Sequence, residues 1–202
     1  MTAETHAPIV VHGSPEELGR TQRLGVLLLI VGDAAFLLSL VFSYLYLRAL
    51  NTEHGWVPPH GHTVPAGLGW VIAAVMVASL AFYYWAETGA DRPRRLQLGL
   101  LLAALLVLVG LVLQAYQLGT AGIVVADGSY ASTWYALAGY HAFHLLVTLF
   151  IGIGIWNRAR MGRYATNGWQ VRLVGYWWAW VAVAAIITAA TTSLAAIPHV
   201  VP

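Results

Sequence analysis

Three ionisable side chains lie inside apolar segments of this sequence, where a charge is costly. Asp33 is the only acid deep within an apolar segment, and His141 and His144 are the only histidines in the middle of one. An ionised carboxylate in membrane hydrocarbon is unfavourable unless it is paired, hydrated or protonated. We therefore expect Asp33 to be either a proton-relay group or a structural residue. In the structural role it would form a hydrogen bond to another helix, with His141 or His144 as a candidate partner.

The two histidines are three residues apart, so we expect them on one face of a helix. Two imidazoles could ligate a metal ion or a haem, but no Asp, Glu or Cys clearly joins them, and no other apolar segment offers a histidine. The favoured interpretation is a structural pair, in which each imidazole bonds to a carbonyl, hydroxyl or carboxylate of a neighbouring helix. We predict no metal site and no catalytic residue in this chain.

Polar residues outside the apolar segments give weaker signals. His54, His60 and His62 share a loop with Glu53, and their His-Gly-His run could hold copper or zinc, although ordinary loop histidines are favoured. Glu87 is expected to be a solvated charge at the end of the second apolar segment. The chain has no cysteine, which excludes disulfides, thiolate metal sites and thiol catalysis.

The elements that carry these residues are five apolar segments, each long enough to cross a bilayer. A helix needs about 20 residues, at a rise of about 1.5 Å per residue, to cross about 30 Å of hydrocarbon. The composition agrees, because 59% of the residues are hydrophobic and only 9% are charged. The sequence predicts an all-α membrane protein, a bundle of five transmembrane helices with spans at about 24–47, 66–86, 96–118, 130–156 and 171–197.

Positive charge is distributed unevenly between the connections, and this predicts the orientation of the bundle. The chain has no lysine, and nine of its ten arginines lie on one side of the predicted membrane, with only Arg48 on the other. Positive residues beside spans are retained on the cytoplasmic face. Residues 1–23, with a short helix beginning near Ser14 and Pro15, are therefore expected in the cytoplasm, and residues 198–202 outside.

These arginines flank spans and form no separate basic patch, so we expect them to contact lipid headgroups and not nucleic acid. The candidates are Arg92, Arg94, Arg95, Arg158, Arg160, Arg163 and Arg172.

Small and aromatic residues predict which helix faces pack together. Small residues recur at helical spacing at Ala35, Ser39 and Ser43 and at Ala182, Ala185, Ala189, Thr192 and Ala196. Small side chains let helices approach closely in lipid, so both stripes are expected inside the bundle, with contact to another subunit as the alternative. Aromatic residues near the span ends are expected in belts at the membrane surface, among them Tyr44, Tyr83, Trp134 and Trp178.

The fourth span carries a run that resembles a known family. Residues 134–144, Trp-Tyr-Ala-Leu-Ala-Gly-Tyr-His-Ala-Phe-His, followed by Gly152 and Gly154, resemble subunit III of haem–copper oxidases, which has a Gly-aromatic-His-x-x-His run in the corresponding helix. Residues 32–48 in the first span and 176–178 in the fifth fit the same family. Two features depart from its pattern: Leu40 stands where the family usually has Glu, and the fifth span lacks the family's His and Asp.

The resemblance implies an accessory subunit without a redox centre of its own. In the family, the haems and copper belong to subunits I and II, and subunit III binds lipid in a cleft, packs against subunit I and helps to sustain proton uptake and turnover. We therefore expect bound phospholipid, assembly with subunits I and II, and a place in a bacterial inner membrane, where the short five-span form occurs. The residues alone leave two alternatives, a haem-binding membrane cytochrome through His141 or His144 and a small proton-coupled transporter built around Asp33.

Overall fold

In a computed structural model, which describes residues 15–50, 56–57, 61–89, 91–164 and 168–194, the chain folds into five long helices. They are α1 (Pro15–Ala49), α2 (Gly67–Glu87), α3 (Pro93–Gly119), α4 (Ser129–Arg160) and α5 (Trp169–Ser193). A 3-10 turn at Val125–Asp127 precedes α4, and the described ranges contain no strand. All five helices are long and apolar enough to cross a membrane, which confirms the predicted fold class.

The helix ends follow local sequence signals. Pro93 lies in the first turn of α3, where its missing N–H has no intrahelical partner to lose. Gly128, with φ of 120°, and Gly162, with φ of 69°, bracket α4 in backbone conformations that favour glycine. The first helix begins at Pro15 and continues unbroken to Ala49, whereas Ser14 and residues 195–202 lie outside the described part of the chain.

Helices α2 to α5 form the core of the bundle, and α1 packs against α4 and α5. Successive helices run in opposite directions, as the short connections between α2 and α3 and between α4 and α5 require. One end of the bundle, here called the arginine-rich end, holds the start of α1, the α2–α3 connection and the α4–α5 connection. The other end, here called the opposite end, holds the α1–α2 and α3–α4 connections.

The buried residues form two clusters. The cluster that contains Tyr83 and Trp178 joins α2, α3, α4 and α5, and close helix approaches help to form it. A Cβ atom added to Gly99 would lie 2.6 Å from Cβ of Ala86, and one added to Gly152 would lie 2.8 Å from the ring of Trp178. Glycine therefore allows the α2 and α3 backbones to approach at Gly99 and makes room for the Trp178 ring at Gly152.

The two predicted small-residue stripes behave differently. Ala182, Ala185 and Ala189 are buried, so the prediction of internal packing is confirmed for α5. It is wrong for α1, because Ala35, Ser39 and Ser43 are all exposed on the described chain. The reason is the rotation of α1, which directs Leu37 and Tyr44 into the bundle and turns the small residues outward.

The prediction of surface belts is wrong for four aromatic residues, because Tyr44, Tyr83, Trp134 and Trp178 are fully buried. The polar atoms of Tyr83 and Trp178 have partners inside the bundle. The Tyr83 hydroxyl donates to the Val171 carbonyl at 2.6 Å, and the Trp178 indole N–H donates to the Ser79 hydroxyl at 2.9 Å. A paired polar atom lets a large ring fill the core, where it contributes more packing than at a wet surface.

Candidate functional site

Asp33 lies near the middle of α1, and its carboxylate meets side chains from α4 and α5. Oδ2 accepts hydrogen bonds from the Tyr140 hydroxyl and from the Trp180 indole N–H, each at 2.6 Å. Oδ1 lies 3.0 Å from Nε2 of His144. We call Asp33, Tyr140, His144 and Trp180 the Asp33 cluster. Because three groups surround the carboxylate, it is satisfied without a solvated channel.

The hydrogen bonds of His144 fix how many protons the pair with Asp33 holds. Nδ1 lies 2.7 Å from the backbone carbonyl of Tyr140, which can only accept, so Nδ1 carries a hydrogen. The contact between Nε2 and Asp33 then needs one more proton, on the imidazole or on the carboxyl. Either placement gives a pair with no net charge, and a neutral pair is the form that low-dielectric surroundings tolerate best.

Aromatic packing holds the His144 ring in place. The Tyr140 ring, one helical turn away, lies 4.0 Å from it between centroids, and the Trp177 ring stacks on it at 5.6 Å. The Trp177 indole N–H donates to the Thr148 hydroxyl at 3.1 Å, which ties α5 back to α4. The Asp33 cluster therefore joins α1, α4 and α5 at mid-height of the bundle.

His141 faces a different helix. Its Nδ1 lies 2.9 Å from Oε1 of Gln114 on α3, and the Gln114 amide donates to Gln117 at 3.0 Å. The structure thus brings Asp33 together with His144 and leaves His141 on another side of α4. The two imidazoles do not converge on a common ligand.

The donors at this site do not fit a haem or a metal ion. Both ring nitrogens of His144 bond to protein groups, so neither offers a lone pair. His141, whose Nε2 is buried without a partner among the described residues, lines a cavity of only about 20 Å³, which cannot hold a porphyrin. Within the described ranges, no three His, Cys, Asp or Glu side chains group together as metal ligands.

The histidines predicted as a weak loop site are only partly described. Nε2 of His62 lies 3.3 Å from the Ala121 carbonyl, and His54 and His60 lie outside the described residues. Glu87 pairs with Arg172 at 3.5 Å at the arginine-rich end, and its side chain is only partly exposed. It is therefore a paired, partly buried charge and not the solvated charge that the sequence predicts.

Some of the arginines predicted to contact lipid headgroups are exposed, and others contact protein groups. Arg94, Arg158 and Arg163 are exposed, and Arg92 contacts Asp91 at 3.9 Å on the surface. Arg95 donates to the Trp85 carbonyl at 2.9 Å and to the Thr88 hydroxyl at 2.8 Å. Arg160 lies over the Trp156 ring at 4.9 Å.

A groove of about 550 Å³ opens between α1, α4 and α5 near the arginine-rich end. Its walls are mostly apolar, and Val26 and Leu29 on α1 lie seven and four residues before Asp33, on the same helix face. Arg158 and Tyr164 also line the groove. Burial raises the pKa of the Tyr164 hydroxyl above its ordinary value of 10, and Arg158 partly opposes this shift, so the phenol is neutral near pH 7.

A second hollow of about 240 Å³ adjoins this groove and shares Trp169 and Leu173 with it. Its charged walls are Arg20, Arg23 and Arg172, and the Arg23 guanidinium lies 5.5 Å from the centre of the Tyr176 ring. Three cations around a small hollow next to an apolar groove form an arrangement suited to an anionic amphiphile.

Sequence reasoning did not identify Tyr140 and Trp180 as partners of Asp33. The signal available for Tyr140 was its position, four residues before His144 and therefore on the same face of α4. No comparable signal marked Trp180, because α5 is apolar on all sides and its rotation cannot be inferred from the pattern. Gln117 was missed for the same reason on α3.

The fold and the site define a multi-pass helical membrane protein whose intramembrane carboxylate and imidazoles bond to one another and to neighbouring helices. The family model for cytochrome c oxidase subunit III matches residues 11–187. The chain belongs to the cytochrome c oxidase subunit III family.

Curated relatives named cytochrome c oxidase subunit 3 agree with this assignment. The protein of Prototheca wickerhamii is 29% identical over 150 residues, which cover 70% of this chain and 56% of that protein. The protein of Danio rerio is 29% identical over 143 residues, which cover 67% of this chain and 54% of that protein. This chain spans about half the length of the curated relatives it matches.

Proposed function

We propose that this chain is the accessory subunit III of a haem–copper oxidase and that it assembles with subunits I and II of that enzyme in a bacterial inner membrane. The observation that carries the proposal is the family match over residues 11–187. In such an oxidase the partner subunits hold the haems and copper, reduce oxygen and translocate protons. This chain then contributes a scaffold and lipid contacts, with its amino terminus in the cytoplasm.

The Asp33 cluster supports a scaffolding role. Asp33 fastens α1 to α4 through Tyr140 and His144 and to α5 through Trp180, and all of these contacts are 3.0 Å or shorter. Helix α1 is the least buried of the five helices, so it has few apolar contacts with the bundle. The hydrogen bonds of Asp33 therefore help to determine its position and rotation. Because Asp33 and His144 together carry no net charge, the carboxyl group can lie inside the membrane without a hydrated proton pathway to stabilise it.

Bound phospholipid is the second part of the proposal. The hollow lined by Arg20, Arg23 and Arg172 suits a phosphate, and the adjoining apolar groove suits an acyl chain. Arg158 lines the groove itself, and the exposed side chains of Arg92, Arg94 and Arg163 outside it suit surrounding headgroups. Positively charged residues next to a membrane surface contribute about 1 kcal/mol each to attraction for anionic lipid.

The lipid contact can be tested by lipid retention. We expect Arg23→Gln combined with Arg172→Gln to lower the amount of anionic phospholipid that copurifies with the chain, as measured by native mass spectrometry. Arg92→Gln combined with Arg94→Gln removes the same charge away from the groove and is expected to retain the lipid. Equal loss in both pairs would show that total charge, and not this hollow, holds the lipid.

The two alternatives find less support in the geometry. A haem needs an imidazole lone pair and space, and neither histidine offers both. A transporter built around Asp33 needs access to water, whereas the carboxylate is enclosed by protein donors and the groove beside it is mostly apolar.

Purification of the tagged chain in a mild detergent tests the assembly. We expect a large subunit with the visible absorption of haem to copurify, whereas an unrelated tagged multi-pass protein of the same cells should not bring it along. Recovery of the chain alone, under conditions that keep a known oxidase of the same cells intact, would overturn the proposal.

A further inference from the structure

A small cavity lies in the core of the bundle between four helices. Its walls include Gly69 on α2, Gln117 on α3, His141 on α4 and Thr188 on α5. The cavity measures about 20 Å³, which is enough room for a water molecule. It is separate from the Asp33 cluster, whose residues do not line it.

Two buried polar atoms belong to residues that line this cavity, and neither has a hydrogen-bond partner among the described residues. They are Nε2 of His141 and Oγ1 of Thr188. The exposed fractions of these residues are only 2% and 8%, so bulk solvent does not serve them. Buried polar atoms in native proteins nearly always have a partner, which can be an ordered water.

The bonding of His141 defines what its second nitrogen needs. Nδ1 faces the Gln114 amide oxygen, and the same amide donates from its nitrogen to Gln117. Nδ1 therefore donates, and Nε2 of the neutral imidazole is left as an acceptor. A partner at Nε2 must supply a hydrogen.

Thr188 differs from the other hydroxyl residues near the end of α5. Thr191, Thr192 and Ser193 each donate to a backbone carbonyl four residues earlier, at distances of 2.6 to 2.9 Å. Thr188 makes no such bond, although the backbone of a helix offers it. Its hydroxyl is therefore available to donate to a group inside the cavity.

We propose that a single water molecule binds in this cavity, donates one O–H to Nε2 of His141 and accepts the hydroxyl hydrogen of Thr188. A water molecule fits the volume of the cavity. It can also donate to Nε2 of His141 and accept from the hydroxyl of Thr188 at the same time. The Gln117 amide, which also lines the cavity, is available as a third partner, which brings the site to the usual number for a buried water. A metal ion does not fit, because His141 alone supplies a strong ligand.

The bound water would join α4 to α5 on a side of α4 that the Asp33 cluster does not reach. Together with the His141–Gln114–Gln117 chain it would link α3, α4 and α5 through one polar network. This inference concerns the core of the chain and does not rest on the proposed function.

A high-resolution density map of the full chain, alone or in the assembly with which it copurifies, tests the site. We expect a peak within about 3.2 Å of both Nε2 of His141 and Oγ1 of Thr188. We expect Thr188→Val to abolish the peak, because it removes the hydroxyl at constant shape. Thr191→Val is the matched control, since that hydroxyl bonds only to its own helix, and the peak should persist there.

Thr188→Ser keeps the hydroxyl and should retain the peak, so it provides a second variant if Thr188→Val does not fold. Absence of the peak from the wild-type map, at a resolution where other buried waters are visible, would overturn the proposal. A direct bond between His141 and Thr188, or a peak that persists in Thr188→Val, would also overturn it.

Discussion

At the scale of single residues, the environment of Asp33 explains how a carboxylate can occupy the middle of an apolar helix. The cost of removing it from water is offset by two short hydrogen bonds and by the shared proton with His144. Such a pair contributes little net stability over a well-packed apolar core, but removal of one partner leaves the other buried and unsatisfied. The cluster therefore specifies the position of α1 more than it adds to overall stability.

Substitutions of Asp33 test whether the hydrogen bonds of its carboxyl group hold α1 in place. In Asp33→Asn the amide oxygen can still accept from Tyr140 and Trp180, and the amide nitrogen can donate to a neutral His144. We expect a small change in the apparent melting temperature of the detergent-solubilised chain. In Asp33→Leu three polar groups lose their partner, which should cost about 3–5 kcal/mol and lower the melting temperature strongly.

Ser39→Ala is the control for these variants. It removes a polar group from the same helix, but the Ser39 hydroxyl donates only to the Phe36 carbonyl of its own helix. The melting temperature should stay near that of the wild type. If Asp33→Asn were as damaging as Asp33→Leu, an amide could not replace the carboxyl group, and neutral hydrogen bonding alone would not explain how Asp33 holds α1.

The sequence predicted part of this cluster. Its chemistry made Asp33 and the two histidines stand out, because charges inside apolar segments are costly wherever they occur. Which histidine pairs with Asp33 depends on helix rotation, and the apolar pattern does not encode it. Tyr140 and Trp180 were missed because aromatic residues are common in membrane helices and only their partners make them distinctive.

At the scale of helices, glycine positions determine how closely the helices pack. Gly99 faces Ala86 across the α2–α3 hairpin, where an added Cβ would lie 3.1 Å from the Ala86 backbone as well. Backbone atoms cannot move aside as a flexible side chain can. The small side chains at this crossing therefore fix the distance between α2 and α3.

Gly99→Ala should separate α2 from α3. We expect a lower apparent melting temperature, consistent with the cost of about 1–3 kcal/mol that is typical of overpacking. The measurement is thermal denaturation of the solubilised chain followed by size-exclusion chromatography.

Gly139→Ala on α4 is the matched control, because nothing lies within 4 Å of its added Cβ. Alanine favours a helix over glycine by about 1 kcal/mol, so this variant should be neutral or slightly stabilised. Equal destabilisation of both variants would mean that helix packing at Gly99 is not the cause.

The small-residue stripes show why it is easier to predict where a helix lies in the sequence than which of its faces packs against the bundle. Length and hydropathy were sufficient for all five helices, because few other structures satisfy the backbone in lipid. The stripe of Ala35, Ser39 and Ser43 looked like that of α5, yet it faces away from the bundle. In the membrane an apolar residue is acceptable on either face, so hydrophobicity does not distinguish lipid from protein contact.

At the scale of the whole molecule, the bundle brings arginines that are distant in sequence to the same end. The arginines near the starts of α1 and α5 meet at one end, where Arg23 lies over Tyr176 and Arg172 pairs with Glu87. At the opposite end, the described residues include aromatic contacts: the Tyr130 hydroxyl accepts from the Val64 amide, and the Tyr44 ring packs against Trp56. The two ends therefore differ in chemistry, as a protein with a fixed orientation in the membrane requires.

Single cysteines can test that orientation directly, because the natural chain contains none. Met161 and Val124 are both exposed, the first at the arginine-rich end and the second at the opposite end. With the arginines retained in the cytoplasm, Val124→Cys in intact cells should react with a membrane-impermeant maleimide, and Met161→Cys should react only after the cells are permeabilised. Neither variant removes an arginine, so the charge that sets the orientation is unchanged. The reverse labelling pattern would place the arginine-rich end outside, and the proposed cytoplasmic amino terminus would then be wrong.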